Sequence, residues 1–119
     1  MAVVQRKYFG TDVFLQVYYE MIRAAQQQRI TTYGDLARIM GLPPRGNYME
    51  KETGWICGEV SCWENSQGRP MLSAVVVNQS TNMSGSSFFT LAQNLGLYQG
   101  THEDFWQAEL QRVYDAWGP

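Results

Sequence analysis

The sequence predicts an α+β fold that is mainly helical, in one domain spanning residues 1–119. Three observations lead there. Apolar residues recur at helical spacing along most of the chain, one β-branched run interrupts them, and the segment TTYGDLARIMG carries start and stop signals for a short helix. A chain of 119 residues with 45% apolar and 13% aromatic residues can close one core.

From Thr11, the residues Val13, Phe14, Val17, Tyr18, Met21, Ile22 and Ala25 line one face of an amphipathic helix, with Thr11 or Asp12 placed to cap its first amides. Gln26 to Arg29 end it. Thr32 can then accept a hydrogen bond from the Asp35 amide, opening a helix whose apolar side is Leu36, Ala37, Ile39 and Met40. Gly41 suits the left-handed conformation of a helix end, and Pro43 and Pro44 forbid continuation, so this is the first half of a helix-turn-helix. A third helix runs from about Asn47 to Asn65 on Met49, Thr53, Ile56, Val60 and Trp63. Gly54, Gly58 and Cys62 share another of its faces, where small side chains admit a packed helix, a partner or a nucleic-acid strand. MLSAVVV, residues 71–77, reads as a buried strand, and NQSTNMSGSS as a polar turn or wing. Phe88 to Leu95 suggest a short helix closed by Gly96. A last, extra helix starts at a Thr101 cap and packs through Trp106, Leu110, Val113 and Trp117.

Composition excludes several activities. No stretch approaches the roughly 20 apolar residues of a membrane span, and MAVVQRKYFG lacks the apolar run of a signal peptide, which predicts a cytoplasmic, soluble protein with no membrane partner. Cys57 and Cys62 lie five apart in one predicted helix, on different faces, so they read as buried or half-buried thiols rather than a disulfide. One histidine, His102, with no cysteine at ligand spacing leaves little material for zinc; no metal or other cofactor is expected. The net charge of −2 is uneven. Six basic against three acidic residues up to Gly46 give +3, and three against eight beyond it give −5. Anionic partners should prefer the first part of the chain.

The helix, the TYGDLA segment with its following G-x-P, the long third helix and the strand after it resemble the C-terminal winged-helix domain of alkylguanine-DNA alkyltransferases and alkyltransferase-like proteins, over roughly residues 12–100. The resemblance implies a winged-helix-type fold and a DNA partner. It matches Tyr33 to the tyrosine that presses on the DNA backbone beside the extruded nucleotide. It also places Met71, Leu72, Ser73 and Ala74 where the family's reactive Pro-Cys-His-Arg stands, leaving no nucleophile. Trp55 occupies the region where the family inserts an arginine into the base stack, and an indole can wedge there too.

The resulting expectation is a non-catalytic, DNA-binding winged-helix protein, not an enzyme, with Tyr33, Arg38, Arg45, Lys51, Trp55 and Arg69 as nucleic-acid contacts. One feature opposes it: Glu50, Glu52, Glu59 and Glu64 against Lys51 would give the third helix a net −3 near a duplex. An alternative follows from the same residues, a small protein-interaction module such as a phage-type inhibitor or regulator that presents an acidic helix and aromatics to a protein partner. Catalysis by Glu50 with Glu52, by Glu103 with Asp104, or by His102 is the weakest reading, because charge pairs on helices are normally solvated.

Overall fold

The computed structural model describes residues 6–118. Residues 1–5, on which the signal-peptide reading partly rests, lie outside them. The described chain is mainly helical: α1 (Asp12–Gln26), β1 (Thr31–Thr32), α2 (Tyr33–Met40), α3 (Asn47–Ser66), a 3-10 turn (Leu72–Val75), β2 (Val76–Val77), α4 (Ser86–Asn94) and α5 (His102–Trp117). The sheet is one parallel pair, with Thr31 opposite Val76 and Thr32 opposite Val77. The polar turn after β2 closes on a single antiparallel bridge between Asn78 and Met83. Among the described residues, no helix is long and apolar enough to cross a membrane.

Helix ends follow local chemistry. Thr11 Oγ1 accepts from the Phe14 amide at 3.2 Å, Thr32 Oγ1 from Asp35 at 3.0 Å and Thr101 Oγ1 from Asp104 at 3.1 Å. Gly41 ends α2 at φ +72°, a conformation that costs glycine little and most residues more.

The segment 71–77 departs from the expected strand. Only Val76 and Val77 pair as a strand, while Leu72–Val75 form a buried 3-10 turn packed by α1, α3 and α5. A strand needs a neighbour of matching length, and β1 offers two residues. Side chains satisfy the backbone instead. The Met71 amide donates to Glu109 at 2.8 Å, the Ser73 amide to Ser61 Oγ at 3.1 Å, Trp106 Nε1 donates to the Ala74 carbonyl at 2.9 Å, and Ser84 Oγ to the Val76 carbonyl at 2.8 Å.

The small-residue face of α3 receives α4. A Cβ on Gly54 would lie 3.1 Å from Ser87 Oγ, and Gly54 and Gly58 share a narrow crevice with Phe88 and Leu91. Of the three occupants that face could take, a packed helix of the same chain takes it.

Candidate functional site

Parallel pairing of β1 with β2 brings the start of α2 beside the loop that leads into α4. Tyr33, the first residue of α2, fastens the two: its hydroxyl accepts from the Gly85 amide at 2.8 Å. Burial holds the Tyr33 phenol well above its ordinary range, so it stays a neutral hydroxyl. Between these segments and the first turns of α3 opens a cleft of about 760 Å³. Tyr33, Met49, Gly54 and Trp55 form part of its wall, and Arg45, Glu50 and Lys51 bring charge to it.

The cleft is suited to anions in a further respect. The N-cap residues of α3 and α4 are Gly46 and Gly85, both in the lining, so neither helix has a cap side chain on its first amides. Uncapped first-turn N–H groups carry partial positive charge and suit phosphate oxygens. Glu50, exposed in the first turn of α3, opposes this effect.

Four of the six residues expected from sequence, Tyr33, Arg45, Lys51 and Trp55, therefore meet in one place. Trp55 is half-buried, with the Lys7 ammonium 4.7 Å from its ring centroid. Arg38 stands on the exposed face of α2 outside the lining and pairs with Asp35 at 3.2 Å. Arg69 follows the other end of α3, a 20-residue helix about 30 Å long, and folds back onto Glu64. Its guanidinium donates to Glu64 at 2.8 and 3.0 Å and to Tyr18, which raises its affinity for its proton. Arg69 thus serves the fold, away from the cleft.

The acidic helix is the main correction. Of its four glutamates, only Glu50 is exposed. Glu52, Glu59 and Glu64 are 3%, 3% and 0% exposed, and each is matched by donors. Glu59 accepts the backbone amides of Lys7, Tyr8 and Phe9 at 2.8 to 3.1 Å, so the strap ahead of α1 is tied across α3. Glu52 takes the Lys7 ammonium at 2.5 Å and the Tyr8 hydroxyl, and these bonds hold its carboxyl below the usual range. Glu64 takes Tyr18 and Arg69. Buried carboxylates need such partners. α3 therefore exposes one glutamate and not four, with Glu52 and Glu64 paired to cations and Glu59 to neutral amides, so the expected acidic face is absent from its surface.

Where the alkyltransferase resemblance places its reactive strand, Met71 to Ala74 are all buried, and Ser73 Oγ shares a 2.6 Å hydrogen bond with Ser61 Oγ. The Cys57 thiol is also buried, which pushes it far above the range of a reactive thiolate. His102 lies exposed in the first turn of α5, stacked on Phe89 with centroids 3.9 Å apart. Among the described residues, no three of histidine, cysteine, aspartate and glutamate gather to hold a metal ion.

Sequence reasoning missed the third wall of the cleft, formed by Val77 to Gln79 and Gly85 to Ser87. Nothing in their spacing marks them, because the β1–β2 pairing, the Tyr33–Gly85 bond and the packing of Ser87 against Gly54 bring them to α3. No family model, no curated protein and no solved structure matches this chain.

Proposed function

We propose that this chain is a non-catalytic nucleic-acid-binding domain of winged-helix type, acting in the cytoplasm and holding a phosphate backbone at the cleft between α2, α3 and the loop before α4. The convergence of Arg45 and Lys51 with Tyr33 and Trp55 around one cleft carries this reading. Cations supply most of the affinity of such proteins, while aromatic walls suit sugars and bases. The internal placement of Glu52, Glu59 and Glu64 supports it further, since Glu52 and Glu64 are paired with cations and Glu59 is held by backbone amides inside the fold. The buried Met71–Ala74 segment and the raised Cys57 thiol support a role without covalent chemistry.

The test is fluorescence anisotropy of labelled DNA and RNA oligonucleotides at low salt. Binding is expected to weaken about 10-fold or more in Arg45→Glu/Lys51→Glu, and to persist in Arg38→Gln. Absence of binding to any oligonucleotide, or binding unchanged by the double reversal, overturns the proposal.

A further inference from the structure

A helix that reads a duplex through the major groove lays a solvent-facing edge along it, with several side chains in reach of base edges. α3 has no such edge. From Glu52 to Glu64 every residue is buried or half-buried, enclosed by the strap of residues 7–9, α1, α2, the 3-10 turn and α4. Only its two ends are open: Asn47, Tyr48, Glu50 and Lys51 are exposed at its start, and Asn65 and Ser66 at its finish. α2 offers a single exposed residue, Arg38, and α4 carries no charge at all.

At the open start of α3 the accessible feature is concave. At about 760 Å³ the cleft falls within the 300 to 1,000 Å³ range of small-ligand sites, which matches one or two nucleotides and not the convex wall of a double helix. Its cations are two, Arg45 and Lys51. Tyr48, 60% exposed, stands outside the lining but three residues before Lys51 on α3, and so on a neighbouring part of the helix surface.

We infer that the nucleic acid taken by this cleft is single-stranded, with one or two unpaired nucleotides entering it, their phosphates at Arg45 and Lys51 and their bases against the aromatic wall. This rests on the nucleic-acid reading above and names its substrate class. A base must leave its stack to meet an aromatic side chain, so a strand already unpaired binds at lower cost. Two phosphate contacts also set a shallow salt dependence.

The experiment compares the full chain on three labelled probes of one mixed sequence: 16-nucleotide single-stranded DNA, the same strand as RNA, and the blunt 16-base-pair DNA duplex. Either single strand is expected to bind about 10-fold more tightly than the duplex. The slope of log K against log salt is expected near −1.4, from roughly 0.7 for each of two contacts. Tyr48→Ala, at an exposed position, is expected to weaken single-strand binding about 3-fold without changing the melting temperature. A duplex that binds as well as or better than both single strands overturns this inference while leaving the nucleic-acid reading in place. Failure of all three probes overturns both. A preference for the DNA or the RNA strand supports the inference and identifies the sugar that is read.

Discussion

At its C-terminal end α3 commits Glu64 wholly to Arg69 and Tyr18, inside the fold, whereas at its N-terminal end Arg45, Glu50 and Lys51 stay exposed around the cleft. The two ends draw on the same residue types. They differ in solvent access, which decides whether a charge holds the fold together or remains available to a ligand. A charge count along the helix therefore misjudges its surface, and glutamates that argue against an anionic partner on paper turn out to be internal anchors.

The strongest way to break this comparison is Glu64→Ala. Removing Glu64 takes the acceptor from the Tyr18 hydroxyl and from Arg69, whose own charge still reaches water, and a loss of about 2 kcal/mol in unfolding free energy is expected. Denaturant unfolding measures it, and a cost near zero would place Glu64 among ordinary surface charges. Binding by the fraction still folded should be unchanged.

Acid titration sharpens the contrast next. The Glu52 carboxyl sits below its ordinary value of 4.5 because Lys7 and Tyr8 donate to it in the folded state. The sign follows: this group's stabilisation is complete above about pH 4.5 and is lost as pH falls through the lower native value, since the unfolded chain takes up the proton first. In Glu52→Gln the stability curve should be lower at neutral pH and flatter below pH 4.5, by at most about 1.4 kcal/mol per pH unit. Parallel curves for the two proteins would show that the carboxylate gains nothing from its partners.

The smallest effect is expected at Glu50, the one exposed glutamate of α3 and part of the cleft lining. Glu50→Gln should raise oligonucleotide affinity about 2-fold at low salt, with stability unchanged within about 0.5 kcal/mol. Lower affinity in this variant would mean that Glu50 itself contacts the ligand.

Much of the architecture was legible because it is local. Thr11, Thr32 and Thr101 cap helices through amides three residues away, and Gly41 turns the chain within its own residue, so no distant partner is needed. MLSAVVV misled for the opposite reason. Its β-branched residues suit a strand, yet the backbone bonds of this segment are met by Glu109, Ser61, Trp106 and Ser84, up to 38 residues away. For the candidate site, Tyr33, Arg45, Lys51 and Trp55 could be nominated by residue type and by neighbourhood to the helix-turn-helix. Arg69 could not be separated from them, because an arginine in an ion pair and an arginine awaiting phosphate look alike in sequence.

The sequence by itself determined where the helices begin and end and which faces are apolar, since both depend on interactions within one or two turns. Only the tertiary structure decided which charges are internal. It tied Lys7, Tyr8 and Phe9 to Glu59 across about 50 residues, closed Glu64 with Tyr18, and brought the loop at Gly85 to Tyr33 to complete the cleft. A carboxylate's surroundings are set by distant segments, and the same surroundings decide whether its charge reaches solvent.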